Sequence, residues 1–473
     1  MAKIKLNELL RIIKIESDET IEILGISNDS RDIKKQWLFI SEACEQQDDY
    51  CTQALAKGGY VVSEKQGQHH HHYGNADFSQ LGLLQDFYYG NLSEGIFVIG
   101  VTGTNGKSSV VNIVTQLLEI NGKQVIRIGT DGIYYKQQIT PTRNTTPSSY
   151  QLAQCFKEAK ANKIKYIVME VSSHAIDQKR IAALRFDLIV YTNITRDHLD
   201  YHRTLLNYQQ TKFKLEKYLK TKGKLIINSD DLVLHQLYEL TNHKCITYGL
   251  KSSHFKLDEV VITNKGSVFL CNDFLFKIPL LGMVNVYNVT IMIAVGRILN
   301  LSYQQLQSIA LKLNHVLGRM EVVYQGHFAI WLDYAHSEDA LKKILQFGEK
   351  VKMNRIICVI GCGGNRDVGK RYAMAHVVGA YSDVSIFTAD NSRDELLTSI
   401  LKDMEVQTIP HHEIFENRYY AIKHAIAIAR NSDIIIIAGR GNETIQKIGT
   451  QNISFSDRDV IKHLIMGRIH PCI

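Results

Sequence analysis

The sequence predicts an α/β protein of several domains, and three observations carry that prediction. Short β-branched runs recur, each followed by a turn and then a helical pattern. One of these runs leads directly into a glycine-rich turn, and the 473 residues are too many for one compact core. Strand and helix in alternation imply parallel sheets covered on both faces, with ligands at the carboxyl ends of the strands. At roughly 150 residues per domain, the length corresponds to about three domains.

The runs are "IFVIGV" from residue 96, "YIVMEV" from 166, "DLIVYT" from 187, "IICVIG" from 356, "VSIFTA" from 384 and "DIIIIAG" from 433. Only five prolines punctuate the chain and no Gly/Ser linker appears, so boundaries rest on two polar or irregular stretches, residues 64–80 and 315–323. Cuts near 90 and 317 follow, giving domains 1–90, 91–316 and 317–473. No internal repeat is evident. Four consecutive histidines, His69 to His72, lie in the first polar stretch; such a run reads as a solvated loop, and no function is assigned to it.

Hydrophobic content of 45% supplies enough apolar material for several cores and argues against disorder. The net charge of +7 comes without a Lys/Arg block, which points to an anionic small molecule rather than nucleic acid. The eight cysteines are scattered without metal-ligand spacing, so reduced thiols and a cytoplasmic location are expected. "MAKIKLNELLRIIKI" lacks a continuous apolar stretch and the longest apolar runs fall far short of a membrane span, so neither export nor membrane insertion is expected.

The glycine-rich turn is "GVTGTNGKSSV", residues 100–110. A phosphate loop needs glycines so that backbone N–H groups can approach the anion, a Lys for the terminal phosphates and a Ser or Thr hydroxyl for the cation. Gly103, Gly106, Lys107 and Ser108 supply these between a strand and a helix, although Val101 stands where the standard pattern has its first Gly. "MEVSSHAIDQKR" from 169 and "TNITRDHLDYH" from 192 put Glu170, Asp197 and His198 just after parallel strands, at the same sheet edge. They are placed to converge on a divalent cation at the phosphates of ATP.

The ordered series "GTNGKSS", "NTTP" from 144, "MEVSSH", "TNITRDHLDYH", "LLGMVNVYNV" from 280, "GRMEV" from 318, "DYAHSEDAL" from 333 and "GCGGNRDVGKR" from 361 resembles the Mur ligases. Within them it is most similar to the MurE type, which adds the third residue of the peptidoglycan stem peptide. The resemblance spans about residues 95–460. It implies an N-terminal domain gripping a uridine nucleotide, a central P-loop ATPase-like domain and a C-terminal Rossmann-like domain for the incoming amino acid. The implied reaction uses ATP and magnesium to convert a carboxylate of UDP-MurNAc-L-Ala-D-Glu to an acyl phosphate, which an amine then attacks. The expected partners are that nucleotide and meso-diaminopimelate, with no nucleic acid or membrane, on a monomer.

Carried over motif by motif, the resemblance assigns Gly103, Thr104, Asn105, Gly106, Lys107, Ser108 and Ser109 to the nucleotide phosphates. The resemblance places Ser108, Glu170, His198 and Lys212 around magnesium and implies that Lys107, Glu170, His198 and Lys212 are catalytic. Asn288, Arg319, Asp333 and His336 contact the base, phosphates and ribose. Lys212, ten residues past His202, matches the family's carbamylated lysine, with Lys214 as the alternative register. A carbamate turns a cation into an anion, which suits a magnesium site that an ammonium would disrupt.

The uridine substrate is expected at Ser30 and Arg31, Thr145 and Thr146, and Ser172, Gln178 and Arg180. The family's glycine-rich stretch after "LFIS" is replaced by "EACEQQDDYC", which departs from the pattern. For the incoming amino acid, "ADNSRDE" resembles the "DNPR" motif of diaminopimelate-adding enzymes, giving Asp390, Asn391, Ser392 and Arg393. Arg393 and Arg366 would pair with the distal carboxylate, and Gly439 with Glu443 would take the distal ammonium. Arg440 and Asn442 stand where a Lys and a His are usual. A lysine-adding MurE is the alternative, and a folylpolyglutamate synthase-like ligase or a catalytically silent ATP-binding relative ranks below it.

Overall fold

The computed structural model describes residues 4–41, 47–65, 69–136, 138–251, 253–405 and 412–469. Half of the stretch that replaces the glycine-rich one, residues 42–46, with Cys44 among them, and Cys472 lie outside these. The chain forms two compact units, Met1–Lys256 and Leu257–Ile473.

The first unit contains two sheets. The N-terminal one is parallel, in the order Gly25–Ser27, Trp37–Ser41, Tyr60–Ser63, His72–Tyr73. Leu6, Leu9, Leu10, Leu38, Ile40, Val62 and Leu84 form its main core. The second sheet runs Cys245–Gly249, Leu219–Asn228, Phe186–Tyr191, Phe97–Thr102, Tyr166–Glu170, Val125–Gly129, all parallel. The strand Phe97–Thr102 is therefore central, and later strands flank it on both sides. Its carboxyl end is a topological switch point, where a crevice opens. Helix Lys107–Ile120 follows it and buries Val110, Val111, Ile113, Val114, Leu117 and Leu118, spaced as a helix's apolar face requires.

The second unit opens with an antiparallel ladder from Leu257 through Gly266–Cys271 and Phe274–Ile278, followed by helix Gly282–Ile298. Its main sheet runs Glu321–Gln325, Ala329–Asp333, Ile434–Ala438, Ile356–Ile360, Val384–Thr388, His412–Phe415, with only the first strand antiparallel. Successive residues point to opposite faces of a strand. Ile356, Cys358, Ile360, Ile434 and Ile436 enter one core, and Ile357, Val359, Ile435 and Ile437 the other. That is why these strands read as unbroken apolar runs. Arg418, fully buried, donates from Nε and Nη2 to the two carboxylate oxygens of Asp457 at 2.8 and 2.7 Å, and from Nη2 to the carbonyl of Ala438. This pair ties helix Asp457–Ile469 to the sheet.

All six predicted strands are present. The antiparallel strands were not anticipated. Among the described cysteines, 51, 155, 245, 271, 358 and 362 are free thiols, and no described helix is long and apolar enough to cross a membrane.

Candidate active site

In the first unit the glycine turn closes tightly on the loop that follows the strand Phe186–Tyr191. A β-carbon at Gly103, whose φ is 148°, would lie 1.9 Å from Thr192 Oγ1, so only glycine is accommodated there. Thr104 N–H donates to the Asn193 carbonyl at 2.8 Å, Asn105 N–H to Asn193 Oδ1 at 3.0 Å, and Thr192 Oγ1 to the Asn105 carbonyl at 2.7 Å. Gly106, left-handed at φ 85°, precedes the first turn of the helix that starts at Lys107. Ser109 is buried on that helix. The Lys107 ammonium donates to the carbonyls of Gly103 and Thr104, each at 2.9 Å, so it lies folded over the loop.

Ser108 Oγ donates to Glu170 Oε2 at 3.0 Å, and Thr130 N–H donates to Glu170 Oε1 at 3.0 Å. Glu170 is buried, and a β-carbon at Gly129 would fall 2.3 Å from its Oε1. A hydroxyl and a carboxylate side by side are hard oxygen donors of the kind magnesium takes. His198 sits in left-handed backbone at the start of helix Leu199–His202, with Nε2 3.5 Å from Asp197 Oδ2. Burial, outweighing the attraction of Asp197 and helped by His174, Lys107 and Lys212, pulls its pKa down to about 4. At neutral pH it is therefore a neutral imidazole, the form that ligates metals.

Lys212 projects from helix Leu205–Phe213 and is wholly buried. Its Nζ donates to the Gly103 carbonyl at 2.9 Å, lies 3.4 Å from Thr102 Oγ1 and sits 4.8 Å from the centre of the Tyr208 ring. Burial, reinforced by the nearby Lys107 charge, holds its pKa well below the ordinary lysine value. This raises the fraction of free amine, the form that adds carbon dioxide. Lys214 caps the same helix, and its Nζ has no comparable contact with the turn among those described.

On the neighbouring edge, Thr146 Oγ1 donates to the Glu170 carbonyl at 2.9 Å and accepts from Ser172 N–H at 3.0 Å. Thr130 Oγ1 donates to Thr145 Oγ1 at 3.2 Å, and Arg180 donates to the Thr146 carbonyl. Gln178 is exposed at the end of helix Ser173–Asp177. Beside the N-terminal sheet, Ser30 Oγ donates to Gln53 Oε1 at 2.9 Å and Arg31 is exposed, doubly bonded to Asp29.

The second unit brings together the amino-acid motifs. Asn391 Nδ2 donates to Glu443 Oε2 at 2.9 Å, and Tyr334 OH donates to Glu443 Oε1 at 3.0 Å. Arg440, fully buried, donates to Asn391 Oδ1 at 3.4 Å and to the carbonyls of Ile445 and Phe455. Asp390 is buried beside Gly439, where a β-carbon would be 3.0 Å from Asp390 Oδ2. Arg393, left-handed at φ 53°, donates from Nη1 to the Gly364 carbonyl, and Arg366 is exposed on the same turn. Arg371 anchors this turn by donating to both oxygens of Glu395, which also accepts from Asn365 N–H at 2.9 Å.

Asp333 accepts from Met320 N–H and Ala335 N–H, each at 2.6 Å; burial raises its pKa against the opposing pull of Arg319. Arg319 lies 4.4 Å over the Tyr334 ring, and His336 is exposed. Asn288 is buried, and its amide donates to Asn285 Oδ1 at 3.1 Å. Sequence reasoning missed Thr130, Asn193, Tyr208 and Arg371. Asn193 and Arg371 lay inside quoted motifs but were given no role, whereas Thr130 and Tyr208 were not singled out.

The chain matches the model of the Mur ligase middle domain over residues 101–296 and that of the Mur ligase glutamate ligase domain over residues 318–441. It is 36% identical to the UDP-N-acetylmuramoyl-L-alanyl-D-glutamate--2,6-diaminopimelate ligase of Listeria monocytogenes serotype 4b, over 96% of this chain and 97% of that protein. The ligase of the same name from Syntrophomonas wolfei is 34% identical, over 98% and 100% of the two chains. Among solved structures, a ligase of that name superposes with a TM-score of 0.70 at 28% identity, covering 99% of this chain and 100% of the other. A MurF ligase from Thermotoga maritima in complex with ADP shares the fold, with a TM-score of 0.65 at 15% identity over 94% and 97% of the two chains.

Proposed function

This chain belongs to the Mur ligase family, and on that premise we propose how its own residues join UDP-MurNAc-L-Ala-D-Glu to meso-diaminopimelate. The protein is an ATP-dependent amide-bond-forming ligase of peptidoglycan precursor synthesis, acting through an acyl phosphate. A carboxylate is a poor electrophile at neutral pH. Transfer of the γ-phosphoryl group forms a bond from the carboxylate oxygen to phosphorus and breaks the bridge to ADP. The amine then attacks the acyl carbon, and inorganic phosphate leaves.

Such transfer depends on positioning and on neutralising charge. In our reading the amides of residues 103–106 cradle the phosphates, and Lys107 swings from the Gly103 and Thr104 carbonyls to the β- and γ-phosphates. Ser108, Glu170 and His198 would hold magnesium, which when bound offsets the phosphate charge. Lys212 as free amine adds carbon dioxide at Nζ and releases a proton, and the resulting carbamate replaces an unfavourable buried cation with an anion. Asn288, Arg319, Asp333 and His336 belong to nucleotide recognition, and Ser30, Thr145, Thr146, Ser172, Gln178 and Arg180 to the uridine substrate. Arg393 and Arg366 take the distal carboxylate of diaminopimelate, and Glu443 beside Gly439 its ammonium. The domain cuts near 90 and 317 belong to the same proposal, as do the monomeric state and the cytoplasmic location.

The observation that carries the reading is the glycine turn at the central strand's carboxyl end, with Lys107 folded over it and the Ser108–Glu170 pair at its exit. The test incubates purified protein with ATP, magnesium and UDP-MurNAc-L-Ala-D-Glu, and compares phosphate release with diaminopimelate and with lysine. Release that depends on diaminopimelate is expected. Release unaffected by adding either amino acid would sink the reading.

A further inference from the structure

The histidine run, which as sequence reads as a solvated loop, is folded into a compact set of ligands. A turn closes it, with His72 N–H donating to the His69 carbonyl at 2.8 Å. One ring nitrogen from each of His69, His70 and His71 lies within 4.8 Å of the others. The rings of His70 and His71 are 3.6 Å apart between centroids, and His71 packs 4.8 Å from the Tyr60 ring, which fixes one side of the cluster. His72 faces elsewhere, its Nε2 2.7 Å from Ser63 Oγ.

We propose that His69, His70 and His71 bind one divalent transition-metal ion of the borderline class, such as zinc or nickel, through three imidazoles. Three neutral nitrogens suit such ions and suit magnesium poorly. His69 Nδ1 accepts from His71 N–H at 3.3 Å, a long bond that costs little to give up as the ring turns towards an ion. The turn leads into the last strand of the N-terminal sheet, and the His71 carbonyl accepts from Val61 N–H at 2.9 Å. It thus sits at the amino edge of this sheet, away from the carboxyl ends of the strands where Ser27 and Ser41 lie. The ion would act as a pin for the turn, separate from catalysis.

The test uses the full chain, stripped with chelator and free of nucleotide, titrated with zinc chloride in a calorimeter. Cobalt uptake followed by visible absorption serves as a second readout. One equivalent is expected, together with a rise in Tm. The triple variant His69→Ala, His70→Ala, His71→Ala should lose that equivalent and the rise, with its metal-free Tm and ligase turnover unchanged, and His72→Ala should keep the equivalent. If the triple variant folds poorly, His70→Ala alone, at an exposed ring, should weaken zinc binding measurably. No uptake by the parent would overturn the proposal. So would undiminished uptake by the variants, which would put the ion at other imidazoles such as His174, His198 and His202.

Discussion

The glycine turn of the first unit and the loops around Asn391 in the second both lie at strand ends, yet their polar groups are paired differently. Around the glycine turn two ammonium groups, Lys107 and Lys212, share the Gly103 carbonyl, and the deeper one has its charge disfavoured by burial and by the other. Around Asn391 three groups already have partners: Glu443 accepts from Tyr334 and Asn391, and Arg393 donates to Gly364, while burial and the nearby Arg418 charge disfavour the cation of Arg440. On the proposed function, anionic phosphates arriving at the first site would relieve that repulsion. In the second, Glu443, Asn391 and Arg393 already have partners, so a ligand must offer better ones. The first arrangement favours turnover, whereas the second favours discrimination.

Removing charge from the first site should have the largest effect. Lys107→Ala should lower acyl-phosphate formation by about a hundredfold to a thousandfold while UDP-substrate binding survives. A variant that released phosphate at the parent rate would show that the loop is not the catalytic ATP site. Lys212→Ala should remove nearly all activity, and added short carboxylates should restore part of it by occupying the place of the carbamate. Near-normal turnover in that variant would refute the carbamate.

The second site should respond in selectivity rather than in turnover. The parent should use diaminopimelate far better than lysine, because only diaminopimelate offers a distal carboxylate that can replace the Gly364 carbonyl with a charge-assisted partner for Arg393. Arg393→Ala should raise KM for diaminopimelate and narrow the gap. Parallel kcat/KM measurements decide this, and a parent that prefers lysine would sink the assignment of Arg393 while leaving the ligase intact.

The smallest effect concerns the anchor beneath that site. Arg371 holds the Glu395 carboxyl at a pKa of about 2, down from 4.5. A depressed folded-state pKa contributes stability that is present above the ordinary carboxylate value and lost as pH falls towards the folded one. Parent Tm should therefore fall between pH 4.5 and 2 more steeply than that of Arg371→Met. Equal slopes would remove this pair from the account of how the two sites differ.

The two sites also differ in how far the sequence disclosed them. Gly103, Gly106, Lys107 and Ser108 are contiguous, and their chemistry is fixed by local backbone needs, so a short pattern sufficed. Glu170 and Lys212 came from their place after a strand and from register within the family motif. Thr130, Asn193 and Tyr208 act through contacts between distant segments: Asn193 meets Asn105 across 88 residues. No periodicity encodes such a pairing. Arg371 and Glu395 each end a quoted motif, yet nothing in either motif says that the two pair until the chain folds. Parallel strands showed as apolar runs because both faces are buried. The ladder of Gly266–Cys271 and Phe274–Ile278 mixes buried and partly or fully exposed positions and gave no such run.

The buried pair of Arg418 and Asp457 has a consequence for the chain as it is made. Asp457 follows Arg418 by 39 residues, so a growing chain on the ribosome holds the cation well before its partner emerges. An unpaired buried charge is costly. Arg418 can therefore be buried against the strand Ile434–Ala438 with its charge paired only once Asp457 has been synthesised. This one ion pair couples closure of the second unit's core to the arrival of its last described helix.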